Sequence, residues 1–364
     1  MNESETAPLV SIVIPNYNME CFLAEAIQSA LDQTWPNTEI LVADNASSDA
    51  SWQVISKFDG KVVKIRREQN LGLVGNSNDL FARARGNYIC LLCSDDVLEP
   101  DFIATAMVLY RKRPDLGYVQ LHYQPIDERG HTIEPVPPPF YAEAGIVPGG
   151  EETRISLLGC HTILSHHLYS AEAVRKVGGL TTYAEMACDY EMALHISMSF
   201  DVGYIPKALV RYRYSEKHLT AYNRKSMLTV LDQYRVRLRI LDRLLPKNHP
   251  FQPLRPKIIA AAAKEALTYG RASMDAGDYS TARRYVALMV AFDYQALESA
   301  AVEREYHALK AMLEKTDPEI TIAWAKWKAD EVGHTAQLHR EKGGPPFALP
   351  KGSLPVSAAE FAGL

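Results

Sequence analysis

The chain has 364 residues, of which 47% are apolar and 23% charged, and a net charge of -5. These are the values of a soluble globular protein of one large or two ordinary domains, and the acidic balance removes any electrostatic reason to expect nucleic acid as a partner. Five cysteines (Cys21, Cys90, Cys93, Cys160 and Cys188) are odd in number, and the CxxC of Cys90 and Cys93 lies inside an apolar run without a second pair, so no structural zinc site is expected.

The opening, MNESETAPLV, lacks the basic-then-apolar pattern of a secretory leader, and no run approaches the ~20 apolar residues of a membrane span. The expected location is the cytoplasm, with reduced thiols. Any membrane contact would then be peripheral, at the inner face.

Leu9–Ile14 (LVSIVI) is a continuous apolar run rich in β-branched residues, the pattern of a parallel strand buried on both faces, and Pro15 ends it. Phe22, Leu23, Ala26, Ile27, Ala30 and Leu31 follow at helical spacing. Glu39–Ala43 is a second strand running into Asp44, and a helix over Ala50–Phe58 can be capped by Ser47 or Asp49. Val62–Arg66 is a third strand, Asn78–Arg85 a helix closed by Gly86, and Tyr88–Cys93 a fourth strand.

This alternation predicts a Rossmann-like α/β fold whose mostly parallel sheet is flanked by helices. Ligands in such sheets bind beyond the carboxyl ends of the strands. Asn16 and Asn18, Asp44 and Asn45, and Asp95 and Asp96 stand at three such ends.

Residues 125–150, rich in Pro and Gly, read as a loop or lid. A further strand is expected at Asp201–Ile205. Beyond Ser215 the pattern turns helical, with Leu231, Tyr234, Leu238, Leu241 and Leu245 in one stripe. Tyr269–Tyr294 fits either a single tetratricopeptide-like unit or an ordinary helix pair. The expected domains are 1–222, a helical domain at 223–342 and a flexible tail at 343–364.

Taken alone, Asp95–Asp96 can cap a turn, bind a hard cation or hold a sugar hydroxyl. Four stretches in order narrow the choice: SIVIPNYN, EILVADNASSD, QNLGLVGNSN and GNYICLLCSDDVLEP. Together they resemble the family-2 glycosyltransferases over roughly residues 8–215. The resemblance implies a GT-A nucleotide-sugar-binding domain, an inverting transfer from a nucleoside-diphosphate sugar, and a divalent metal, Mn2+ or Mg2+.

It further implies that Pro15, Asn16 and Tyr17 cradle the base and that Asp44 accepts a hydrogen bond from it. Asn70 and Gly72 approach the nucleotide, with Ser94 and Asp95 also on the donor. Asp95 and Asp96, the last two positions of an Asp-x-Asp-Asp signature, would grip the metal. His218 is placed beside the metal and Arg213 near the diphosphate. Asp189, in CDYEMAL, falls where the family carries its catalytic base. The chain departs from the pattern at Cys93, where the first signature Asp contacts ribose, and at Cys188, where a Glu precedes the base.

Plainer readings stand beside these. Asp189 can cap the helix expected at Tyr190–Ser199. His161 and His166 offer diphosphate or acceptor contacts, or are simply packed. Arg235, Arg239 and Arg243 can face lipid phosphates or only solvent. The acceptor may be expected among glycans, lipid-linked saccharides and proteins, and a homodimer is open. The competing functions are a catalytically degenerate sugar-nucleotide-binding or scaffold protein and a nucleotidyltransferase. The last is disfavoured because PNYNMECFLAE lacks a basic residue for a phosphate loop.

Overall fold

The structure is a computed structural model that describes residues 7–215, 225–293, 300–342 and 347–362. The chain divides into two compact units. The first comprises Met1–Ser156, His161–His218 and Pro346–Leu364; the second comprises Leu157–Cys160 and Leu219–Pro345.

The first unit is built on a ten-stranded sheet. Strands β1 (Val10–Asn16), β2 (Thr38–Asp44), β3 (Val63–Arg66) and β4 (Tyr88–Leu91) are mutually parallel in the order 3-2-1-4. All seven residues of β1 are buried, which is why it reads as an unbroken apolar run. Its side chains alternate between two cores. Val10, Ile12 and Ile14 enter one with Leu23 and Ile27 of α1 (Leu23–Leu31), and Val13 enters the other. Helices α2 (Ser51–Ser56) and α3 (Gly72–Arg83) complete the crossovers. Helix α3 starts six residues before the predicted Asn78. Gly72, at φ +71°, enters it, and Asn76 is held by donating to the Ala43 carbonyl at 3.3 Å.

Beyond β4 the sheet becomes mixed. β5 (Val97–Leu98), α4 (Phe102–Lys112), β6 (Tyr118–Ile126), β7 (Gly145–Val147), α5 (Gly149–Leu158), β8 (His167–Ser170), α6 (Ala171–Val177), α7 (Cys188–Ser197) and β9 (Val202–Arg213) follow in chain order. β8 runs antiparallel to both β4 and β6, β9 runs parallel to β6, and β5 and β7 pair antiparallel with β9. The parallel character expected from the first four strands therefore holds for that half alone. The 125–150 stretch is less irregular than its composition suggests: β6 reaches Ile126, and Gly145–Val147 forms β7.

The expectation of a flexible tail at 343–364 is corrected over its described part. Phe347 donates from N to the Phe140 carbonyl at 2.7 Å and accepts from Ala142 N at 2.9 Å. Leu354–Pro355 forms β10, antiparallel to β7, and Val356 and Phe361 enter the core. Pro and Gly content argued against regular structure, but the edge of β7 offers unpaired backbone groups and an apolar cleft that this segment fills.

The second unit is helical: α8 (Leu228–Arg239), continued by a π-turn at Ile240–Leu244, then α9 (Arg255–Asp275), α10 (Tyr279–Phe292), α11 (Ala300–Leu313) and α12 (Asp317–Lys342). Gly277, at φ +71°, turns α9 into α10, whose N-cap is Asp278, accepting from Thr281 N at 3.0 Å. A Cβ added at Gly270 would lie 3.4 Å from the Tyr285 Cβ, an ordinary packing distance, so the two helices would accept a small side chain there. The unit has its own core of Leu267, Met274, Tyr285, Met289, Leu309 and Trp324. In the Arg235 row, Arg235 itself is paired with Asp232 at 2.8 Å.

Candidate active site

The strand order reverses between β1 and β4, and the polar residues at their carboxyl ends gather at that switch point. Asn16, the last residue of β1, lies in register with Asp44, the last of β2. Asn16 Nδ2 donates to Asp44 Oδ1 at 3.2 Å and to Ser47 Oγ at 3.3 Å. Asn16 Oδ1 and Asp44 Oδ2 are buried with no partner among the described residues. A buried carboxylate oxygen without a donor is costly, so this pair has acceptor capacity to spare for a donor group from outside the fold. Pro15 is buried and Tyr17 is 46% exposed beside them.

Asn45 organises the neighbouring loop. Its Nδ2 donates to Asn70 Oδ1 at 2.8 Å and to the Gly72 carbonyl at 3.2 Å, and its Oδ1 accepts from Leu71 N at 2.9 Å. Asn70 Oδ1 also accepts from Gly72 N at 2.8 Å. Asn70 and Gly72 thus sit on one braced turn beside the end of β2.

The fourth strand stops at Leu91, two residues short of the expected end. Leu92 N still donates to the Val13 carbonyl at 3.0 Å, and the chain then leaves the sheet. Ser94, Asp95 and Asp96 follow, all buried. Cys93 Sγ and one carboxylate oxygen each of Asp95 and Asp96 lie within 4.8 Å of one another. Ser165 anchors the turn: its Oγ accepts from Cys93 N at 3.0 Å and donates to Asp96 Oδ2 at 2.6 Å. Asp96 Oδ1 accepts from Arg213 N at 2.9 Å. Burial, then the charge of Asp95, pushes the Asp96 carboxyl well above the usual carboxylate range. Two carboxylates crowded at that depth fit a divalent cation, whose charge offsets their repulsion.

Asp189, in the first turn of α7, is partly buried, and desolvation pushes its carboxyl up to about 6. Its Oδ1 accepts from Tyr190 N at 2.7 Å, so it braces the helix start as well. The Cys93 thiol is pushed well up first by burial, then by the charges of Asp96, Asp95 and Asp189.

Three expectations change. Arg213 does not turn toward a diphosphate. It is 1% exposed and donates from Nε to the Asp95 carbonyl at 2.8 Å, from Nη1 to the Asp127 carbonyl at 3.0 Å and from Nη2 to Glu25 Oε2 at 2.6 Å. His161 is committed to structure: its ring nitrogen lies 2.9 Å from Glu152 Oε1, and it stacks on Phe140 at 3.7 Å. Burial alone would push the Glu152 carboxyl up, but His161, Tyr141 and Ser156 outweigh it and hold it low. His166 is buried, and its Nε2 accepts from Ile163 N at 3.0 Å. Desolvation pushes it well below the ordinary histidine value, so it packs as a neutral ring. His218 lies outside the described residues.

Sequence reasoning overlooked Ser165 and the bracing role of Asn45. Nothing in GCHTILSHHLYS singles out that serine, since its partners are 69 and 72 residues away.

Residues 11–158 match the family model described as glycosyl transferase family 2. The match spans the parallel half of the sheet and the acidic turn. Over 193 residues the chain is 30% identical to the chondroitin synthase of Escherichia coli, a match spanning 52% of the chain and 26% of that protein. It therefore spans about a quarter of that relative's length. Among solved structures, TarS 1-349 of S. aureus in complex with UDP-GlcNAc is similar with a TM-score of 0.53 at 15% identity, over 84% of this chain and 91% of that one. The mannosyltransferase PcManGT of Pyrobaculum calidifontis, in complex with GDP-Man and Mn2+, is similar with a TM-score of 0.54 at 17% identity, over 88% and 87%. These likenesses establish the fold, GT-A. No described helix is long and apolar enough to cross a membrane.

Proposed function

We propose that the chain is an inverting glycosyltransferase that moves a sugar from a nucleoside-diphosphate donor to an acceptor hydroxyl in cell-surface glycan synthesis. The observation that carries this reading is the gathering of Cys93, Asp95 and Asp96 in one buried turn beyond the end of β4, at the switch point of the sheet. The polysaccharide synthase relative supports the substrate class.

The roles follow from placement. Asn16 and Asp44 offer acceptor oxygens to the base from beneath, and the Asn70–Gly72 turn borders the nucleotide. Asp95 and Asp96 would hold a divalent cation, which when bound would supply charge neutralisation for the departing diphosphate. Asp189 takes the proton of the attacking hydroxyl; a carboxyl near 6 is mostly ionised at neutral pH yet still basic enough to accept it. One displacement with one base inverts the anomeric centre. Glycan, lipid-linked and protein acceptors are all compatible with this site. The reading takes the cytoplasm as the site of the reaction, with peripheral contact to the membrane for a lipid-linked acceptor.

A thermal-shift panel of UDP- and GDP-sugars, with and without Mn2+, tests the donor reading. A donor at 100 times its Kd should add about 2.7 kcal/mol of stability. Absence of any nucleotide-dependent shift, together with no nucleoside diphosphate release on prolonged incubation, would remove the reading.

A further inference from the structure

The acidic turn carries a third donor atom of a different chemical kind. Cys93 Sγ lies with oxygens of Asp95 and Asp96 inside a 4.8 Å group, the one cluster of three or more His, Cys, Asp or Glu side chains among the described residues that is compact enough to share an ion. Donor atoms bound to one cation at roughly 2.0–2.6 Å lie about 3–5 Å apart, so this spacing is that of a common coordination sphere.

The arrangement is held from behind. Ser165 Oγ receives the Cys93 amide and donates to Asp96, tying the thiol-bearing backbone and the carboxylate to one anchor. Arg213 fixes the two aspartates, through the Asp95 carbonyl and the Asp96 carboxylate. Cys90, one strand position inside the sheet, is fully buried in the apolar core and outside the cluster. Sulfur is a soft ligand and carboxylate oxygen a hard one. A site with two oxygens and one sulfur therefore ranks cations differently from an all-carboxylate site.

Resting on the reading of this turn as the cation seat of a glycosyltransferase, we propose that Cys93 is itself a ligand of that cation, so that the site selects thiophilic dications such as Co2+, Zn2+ or Cd2+ over Mg2+. The sulfur–metal bond forms as the thiol gives up its proton to solvent. The substitution of sulfur for a carboxylate at this position thereby tunes which metal the enzyme carries, rather than merely weakening a ribose contact.

The test is a Co2+ titration of the full chain, alone and in the presence of UDP or GDP, followed by absorption. The expected result is a near-ultraviolet sulfur-to-cobalt charge-transfer band that saturates at one ion per chain. It should vanish in Cys93→Ser while the weak visible cobalt bands persist. Cys93→Asp, which keeps a ligand at the position, should bind cobalt without the band and serves as the folded control. In competition, the preference for Cd2+ over Mn2+, read from the Mn2+ electron paramagnetic resonance signal, should drop by about tenfold or more in Cys93→Ser.

Cobalt binding without the band, a band that survives Cys93→Ser, or an unchanged preference would each exclude Cys93 as a ligand and leave the carboxylate site standing. Failure of both Co2+ and Mn2+ to bind in every arm would overturn the inference and the cation reading together.

Discussion

Arg213 Nε donates to the backbone carbonyl of Asp95 at 2.8 Å, so a fully buried cation holds the acidic turn by its main chain and leaves the carboxylate to other work. The same guanidinium reaches Glu25 on α1 and the Asp127 carbonyl beyond β6, and it lies 4.7 Å over the Phe22 ring. One side chain thus ties β9, α1 and the loop after β6 to the turn after β4. Arg213 is a positioning residue.

Arg213→Met keeps most of the volume but leaves the Asp95 and Asp127 carbonyls and Glu25 without their donor. The expected loss is about 3–5 kcal/mol, measured by urea unfolding. Arg213→Lys should recover little, because a single ammonium cannot serve three directions as a planar fork does. In both variants the Mn2+-dependent part of the thermal shift should shrink. Full stability in Arg213→Met would show that the observed bonds contribute nothing net.

Asp189→Asn should lower transfer by about 10²–10⁴-fold while the donor-induced thermal shift stays near that of the parent. Because the parent carboxyl lies at about 6, turnover should rise with pH through that value and then level off. A profile flat from pH 5 to 8 would separate Asp189 from the proton transfer.

The same residue costs stability. Its folded value lies above that of an unfolded aspartate, so its stabilising contribution is complete below the unfolded value and is lost as pH rises through about 6. Asp189→Asn, which carries no charge, should therefore raise Tm relative to the parent at pH 7.5, and by less at pH 5. A calorimetric scan at the two pH values measures the difference.

His166 and His167 work in the opposite direction. Burial pushes His166 well below the ordinary value and His167 down to about 3. An unfolded histidine takes up its proton near 6.5, so stability is lost as pH falls from there toward the folded value. His167 packs against Tyr118 at 4.8 Å and Tyr169 at 5.0 Å, and its Nδ1 lies 3.0 Å from the Tyr169 hydroxyl, so Phe keeps the ring packing and gives up that one hydrogen bond. His167→Phe should flatten the decline in Tm between pH 6.5 and 5; an unaltered slope would assign the acid lability to other groups.

Phe361 sits in the core of the first unit, 94% covered, with Lys207 Nζ 5.1 Å over its ring. Phe361→Ala should cost about 3 kcal/mol. A truly detached tail would make the substitution neutral, so denaturant unfolding distinguishes the two.

The first four strands were legible because each is bounded by turn residues and most are buried on both faces, and local hydrophobic period reports that directly. Asp44, Asp95 and Asp96 were legible for a related reason: they follow apolar runs, and the ends of parallel strands face one edge. The bracing was not. Glu25 and Arg213 are 188 residues apart, and Arg213 looks like any arginine in a polar stretch until burial converts it into a hub. His161 gave no sign that Phe140 and Glu152 would claim it. The tail misled because composition reports chain preference and is silent about an open strand edge elsewhere.

By itself the sequence determined the parallel β-α succession and the set of acidic residues available at its strand ends, since strand formation and side-chain chemistry are local properties. Only the tertiary structure decided that the Asp189 carboxyl is desolvated, that Arg213 points inward, and that Cys93 shares a ligand-sized space with two carboxylates. Burial and electrostatic coupling depend on everything folded around a group, and here that surrounding matter comes from distant parts of the chain.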